Sequence, residues 1–251
     1  MKAFVLSIRV FLFSLIFNSS QIYASNSSVW SGGLGVVRVD SNFKGVDNEL
    51  LALPLIAYSN ERLSIAGFSL EYKLMQSSFI STTLLLEPGD FYLDASKSKD
   101  VSVSQLKDRN LSIYLGPQIS MNTWIGSFSA KLMQDVSLNS KGYKISANYN
   151  YSIEINDKFS VVPELGVTYN SDNISDYYFG LNSGEISGFN PYSLSETINT
   201  SVGVKAVYSL TERISFVAYA KKNFMDGKIE KSPITDSDST AFAMLSVFYR
   251  F

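Results

Sequence analysis

The chain has 251 residues, of which 45% are hydrophobic, 14% aromatic and 18% charged, with 21 Lys plus Arg against 23 Asp plus Glu and a formal charge of −2. It has no cysteine and no histidine, which excludes disulfides, thiolate nucleophiles, zinc sites built on those ligands and every catalytic dyad or triad with an imidazole base. No basic excess is present to neutralise phosphates, so nucleic acid is not an expected partner.

The N-terminus comes first. Lys2 and Arg9 form a positive segment ahead of an apolar run, Val10 to Phe17, too short for a transmembrane helix of ~20 residues but of signal-peptide length. Ile22-Tyr23-Ala24 offers a small residue for cleavage after Ala24, so 1–24 reads as a signal peptide and 25–251 as one exported domain. No cysteine follows the apolar run to carry a lipid anchor.

From there on no long stretch has helical periodicity, and period-2 alternation recurs instead. Candidate strands lie at 28–39, 48–59, 61–74, 78–87, 109–121, 123–136, 142–155, 158–170, 194–209, 212–223 and 240–251. In the third, Leu63 and Ile65 lie on one face but Phe68, Leu70, Tyr72 and Leu74 on the other, so a bulge or a chain reversal sits at Ala66-Gly67. The clearest alternation runs from Tyr143 to Asn156, with Tyr143, Ile145, Ala147, Tyr149 and Tyr151 opposed to Lys144, Ser146, Asn148, Asn150 and Ser152. Segments beginning at Leu111, Phe159 and Ile198 repeat the pattern.

These strands exceed the ~5–6 residues common in soluble sheets and match the ~9–11 needed to cross a bilayer at a tilt. Their polar faces carry Ser, Asn, Gly and isolated charges, as a barrel lumen does, and aromatics cluster near their ends. Tight turns are expected at 121–123, 156–158 and 210–212, and long polar loops at 88–108, 171–192 and 225–239, which is the asymmetry of outer-membrane barrels. The last strand is apolar at every second residue from Ala241 and ends on Tyr249-Arg250-Phe251. It resembles the C-terminal signal read by the outer-membrane assembly machinery. The expected fold is all-β, a transmembrane antiparallel up-and-down β-barrel. Termini on one side require an even number of strands. Twelve is preferred, and ten with an irregular N-terminal segment is the alternative.

Three motifs then carry a family resemblance. Gly33-Leu34-Gly35 is followed by Phe43-Lys44-Gly45-Val46-Asp47 and Leu53-Pro54-Leu55; Tyr177-Tyr178-Phe179-Gly180-Leu181 stands in the middle; Ser232-Pro233-Ile234 precedes the last strand. In this order and spacing the chain resembles the MipA/OmpV family of outer-membrane proteins over the whole exported domain, with Phe43 where the family usually has Tyr. The resemblance implies an interaction scaffold for peptidoglycan synthesis, with a lytic transglycosylase and a penicillin-binding protein as partners. Short periplasmic turns would offer such partners little surface.

Catalysis is not expected, and neither is a cofactor or metal. Asp172 with Asp176, and Asp236 with Asp238, sit in loops rich in Ser and Asn where solvated acids are ordinary, and the second pair lacks the remaining spacing of a calcium loop. A narrow channel for small solutes is the alternative function, with Lys144, Glu154, Glu164 and Lys205 as candidate lumen residues. Surface adhesion by the long loops is a third reading.

Overall fold

The computed structural model describes residues 28–251, so the expected signal peptide at 1–24 lies outside the described residues. Strands β1 (Val29–Val39), β2 (Glu49–Ser59), β3 (Leu63–Ala66), β4 (Ser69–Gln76), β5 (Ile80–Pro88), β6 (Ile113–Thr123) and β7 (Gly126–Asp135) follow one another as antiparallel neighbours. β8 (Tyr143–Asn150) and β9 (Ile153–Asn156) both pair with β10 (Phe159–Asn170), in one register up to a shift at Phe159-Ser160, so they are a single stave broken at Tyr151-Ser152. β11 (Thr197–Ser209), β12 (Ile214–Phe224) and β13 (Ser239–Arg250) complete the wall, and β13 pairs back onto β1. The result is a closed antiparallel barrel of twelve staves. Helices α1 (Asp172–Phe179) and α2 (Gly227–Glu230) lie in the long connections. No helix among the described residues is long and apolar enough to cross a membrane; the strands do so.

The phase slip at Ala66-Gly67 is a chain reversal. Gly67 takes φ +58°, and Ala66 pairs with Ser69 across the turn, which splits the expected 61–74 strand into β3 and β4 and raises the count to twelve. The turn expected at 121–123 falls instead at Trp124-Ile125, because the ladder of β6 and β7 closes on Thr123 and Gly126. Apart from the β3–β4 turn, the short connections and both ends of the described chain share one end of the barrel, the periplasmic end of such proteins; long connections crowd the other.

Outward side chains form the lipid face. Leu34, Leu50, Ile56, Ile119, Leu165, Val202 and Leu245 are all exposed large apolar residues. Ring pairs mark its borders, with Trp30 4.5 Å from Tyr58 and Phe128 4.9 Å from Tyr149, centroid to centroid. Besides Pro88, which ends β5, three prolines lie within strands, where the ladder is interrupted. Pro117 falls in a skipped stretch between β6 and β7, Pro163 faces the break between β8 and β9, and Pro54 faces a side of β2 that has no neighbour at its level.

The inner wall has two halves. Along β1, β2, β12 and β13 it is mainly apolar: Val37, Leu55, Val217, Phe242, Met244 and Phe248 form a buried cluster, with Leu53 and Tyr219 packed against it, and Lys221 and Asn223 of β12 face inward nearer the lid. Along β5 to β11 it is polar, carrying Glu87, Gln118, Ser120, Lys131, Lys144, Asn148, Glu164 and Ser201.

Candidate functional site: the lumen and its lid

The polar half is organised by one carboxylate. Glu87, the penultimate residue of β5, is 2% exposed. Both its oxygens accept from Lys131 Nζ at 2.8 Å, and Lys144 Nζ stands at 3.0 Å. Lys144 also reaches Asp90 at 3.6 Å and lies 4.5 Å from the centroid of the Tyr114 ring. The register dictates this meeting: Glu87 pairs with Tyr114 and Tyr114 with Asp135, while Met133, two residues before Asp135 and two after Lys131, pairs with Lys144. Each ammonium has lost most of its water, so its stability depends on the carboxylate between them.

Nearer the periplasm, Tyr219 donates to Glu164 at 2.9 Å, and Lys205 lies within electrostatic reach of Glu164. Three of the four residues expected in the lumen, Lys144, Glu164 and Lys205, therefore lie on the inward face. Glu154 does not line it. It belongs to β9, all of which is exposed, and its carboxylate accepts from Ser152 at the periplasmic mouth. The alternation assigned its face correctly, but the strand has by then run past the wall that would enclose it.

Above the lumen, the long connections fold inward on a common core of Phe43, Leu93, Val103, Ile174, Tyr178, Phe179, Ile229 and Ile234. The three family motifs meet there. Phe43 stacks on Phe179 with ring centroids 5.6 Å apart and forms a bridge with Thr235. Lys44 donates its backbone N–H to Ile234 O and its ammonium to Pro233 O. Ser232 Oγ donates to Phe179 O at 2.6 Å. Gly45 takes φ +70°, and a side chain there would collide with the backbone of Asp100. Gly180 donates to Asp176 O, and a Cβ would meet that same oxygen. Asp47 is ion-paired with Lys99 at the rim. Tyr178 accepts from Ser112 N–H and donates to Asn110 O, both at 2.9 Å, and burial pushes its hydroxyl well above the ordinary phenol range. The motifs are thus the joints of a lid.

Sequence reasoning missed Glu87, Lys131 and Asp135. Glu87 stands beside a proline at a strand end, where alternation had run out. Asp135 gathers Ser112, Ser137, Ser140 and Lys141 around its carboxylate and so fixes the β7–β8 connection, in which Leu138 and Lys141 hold φ +62° and +57°. Between lid and lumen lies a cavity of about 480 Å³. Its wall is apolar at Phe43, Val46, Phe91, Leu93 and Phe242, and polar at Lys221 and Asn199, with Glu49 and Lys97 at its edge. Among the described residues no group of three or more acids is placed to hold a metal ion. At the end of the chain Phe251 N–H donates to Trp30 O and the Tyr249 and Phe251 rings meet edge to face, so the last residues seal the seam with β1.

The chain is similar to several known proteins. The chain is 28% identical over 246 residues to the outer-membrane protein YiaT of Escherichia coli K12, covering 96% of this chain and 97% of that protein. It is 24% identical over 226 residues to the MltA-interacting protein of the same organism, covering 88% and 90%. It is 24% identical over 244 residues to OmpV of Vibrio cholerae, covering 93% of each. Among solved structures, an outer-membrane channel from Pseudomonas putida F1 aligns over 91% of this chain and 97% of that one, with TM-score 0.44 and 12% identity. The family model for MltA-interacting protein MipA matches residues 32–251, and with β1, the three lid motifs and the closing strand all inside that match, the chain belongs to this family of outer-membrane β-barrel proteins.

Proposed function

We propose that the protein is a non-catalytic scaffold of the outer membrane that holds a peptidoglycan-processing enzyme, a lytic transglycosylase with its penicillin-binding protein, against the membrane's inner face. A relative described as an MltA-interacting protein supports the choice of partner. The observation that carries the reading is the free edge of β9. Most periplasmic turns are short, but the β7–β8 ladder stops at Ser127 and Asn150, and β9 beyond it is paired with β10 alone. All of β9 is exposed, including Ile153 and Ile155, and Trp124 in the neighbouring turn is 91% exposed. An unpaired strand edge is a template for a strand of another chain, and exposed aromatic and aliphatic side chains beside it are anchors. Tyr249 and Phe251 serve the assembly machinery earlier, as the insertion signal.

Crosslinking the tagged protein in intact cells tests this. A lytic transglycosylase should co-purify above an unrelated barrel, and Ile153→Asp with Ile155→Asp should remove it while the heat-modifiable gel shift of the folded barrel persists. Recovery of assembly proteins and lipopolysaccharide alone would sink the scaffold.

The polar lumen below the lid favours a second reading, a narrow channel. Planar-bilayer recordings separate the two, because neutralising Lys144, Glu164 and Lys205 changes conductance or ion preference in a channel and leaves partner capture intact in a scaffold.

A further inference from the structure

Among the described residues the barrel wall is interrupted beside β2. β3 and β4 form a short hairpin that reverses at Gly67-Phe68, level with Ala57 of β2. Above that level β2, from Glu49 to Leu55, is paired on its β1 side only. On the far flank β5 ends at Pro88, and the following loop runs back across the opening to the top of β2. There Lys97 pairs with Glu49, Lys99 pairs with Asp47, and the Lys99 N–H donates to Gly45 O at 2.8 Å. β4 covers β5 up to Leu86, so the opening is framed by β2 on one side, Gly67-Phe68 below and the ion-paired loop that follows Pro88 on the other side and above. Its lower border is clear: a Cβ on Gly67 would have nothing within 4 Å, and Phe68 is exposed.

The β2 side of the frame is chemically unusual. Peptide groups of alternate residues point to the same side of a strand. Ile56 O and Asn60 N–H bond toward β3, so the peptide groups of Leu50, Ala52 and Pro54 point into the opening. Among the described residues no backbone bond takes up the N–H of Leu50 or Ala52, and Pro54 has none to offer. The side chains of these three residues are exposed and apolar, which places the opening in the lipid-facing band. Hydrocarbon cannot satisfy such peptide groups. Just above the hairpin tip, where β5 ends at Pro88, two missing strand widths leave a gap on the order of 10 Å, room for one alkyl chain. The cavity that reaches Glu49 and Lys97 has the size of a small-molecule site, ~300–1,000 Å³.

We propose that this window admits a single-chain zwitterionic amphiphile of the lysophospholipid class from the surrounding membrane into the cavity beneath the lid. Its chain passes between β2 and the loop that follows β5 to rest on Phe91, Leu93 and Phe242. Its ester and phosphate oxygens accept from the Leu50 and Ala52 N–H groups. Its two head-group charges face the adjacent carboxylates and ammoniums of Glu49–Lys97 and Asp47–Lys99. The proposal does not depend on the scaffold reading.

The test places benzoylphenylalanine at Phe242, in the cavity, at Ser120, on the polar wall, and at Ala130, on the lipid face, in full-length protein in phosphatidylcholine vesicles. Isotope-labelled palmitoyl lysophosphatidylcholine is added, and folding is checked by heat-modifiable mobility. Illumination should label position 242 well above position 120. Filling the space behind the window with Leu53→Trp should lower labelling at 242 about tenfold and leave labelling at 130 unchanged. Equal labelling at 242 and 120 would overturn the site. Labelling at 242 that survives Leu53→Trp would overturn the route through the wall.

Discussion

The two halves of the inner wall solve one problem by opposite chemistry. The half made by β1, β2, β12 and β13 fills the lumen with Val37, Leu55, Phe242, Met244 and Phe248, as a soluble core would. The half made by β5 to β11 fills it with Glu87 between Lys131 and Lys144, and with Glu164 bonded to Tyr219. An inward-facing position in this barrel is therefore not a polar position by rule. The apolar half is held by many small contacts, none indispensable. The polar half depends on a few groups whose removal leaves others buried and unpaired.

The sharpest way to test that contrast is Glu87→Ala. It strands two ammoniums, 8% and 6% exposed, against one weakly placed Asp90. Removing one member of a buried ionic group costs about 3–5 kcal/mol. Urea unfolding of the detergent-folded barrel, followed by gel mobility, should show a loss of that size, and Lys131→Met with Glu87→Ala should recover part of it. A cost below that of an apolar truncation would break the comparison. In the other half Met244→Ala, which opens a cavity among Val217, Phe242 and Phe248, should cost roughly 2–4 kcal/mol. Met244→Leu should be nearly silent, since volume-conserving swaps cost less than ~1.5 kcal/mol.

The same contrast explains what could be read from sequence. Alternation locates strands whose faces differ, so the stave carrying Lys144 and the strand carrying Glu164 were plain. It is weaker where both faces are apolar: in β13, Phe242, Met244 and Phe248 point inward while Leu245 and Val247 point outward. The apolar half of the lumen was invisible for that reason, although the strand itself was not. The β3–β4 reversal left only a phase slip, because four residues are too few to show a period of their own. The lid escaped the reading altogether. Its joints pair Phe43 with Thr235 and Ser232 with Phe179, contacts between loops far apart in the chain, and no local pattern predicts them. What the sequence offered was three motifs of unknown purpose, and the structure places them against one another.

Ser232→Ala probes whether the lid resembles the polar or the apolar half. The Ser232 hydroxyl is buried and donates to Phe179 O at 2.6 Å, so its loss leaves a buried carbonyl without that donor at a cost of about 1–3 kcal/mol. The barrel below should be untouched. Protease cleavage within 180–196 and 225–238 should accelerate about tenfold while the urea midpoint of the barrel stays fixed. Equal loss in both would show that lid and wall unfold as one unit.

The smallest effect concerns acid, and it isolates one ion pair of the lid. Glu185 accepts from Asn182 N–H at 2.8 Å and from Arg109, itself buried, at 3.0 Å. Burial alone pushes the carboxyl up, but the Asn182 N–H and the guanidinium outweigh it and hold Glu185 below its ordinary 4.5. A carboxyl whose pKa is lower folded than unfolded adds stability that is complete above the ordinary value and disappears as pH falls through the folded one. Hydrogen exchange of residues 181–194, corrected for its intrinsic pH dependence, should therefore be flat from pH 8 to about 5 and rise below that, as the carboxylate takes its proton and Arg109 loses its counter-charge. Glu185→Gln should raise exchange at neutral pH and flatten the acid rise. If the variant kept the acid rise, the transition would not belong to the Glu185–Arg109 pair.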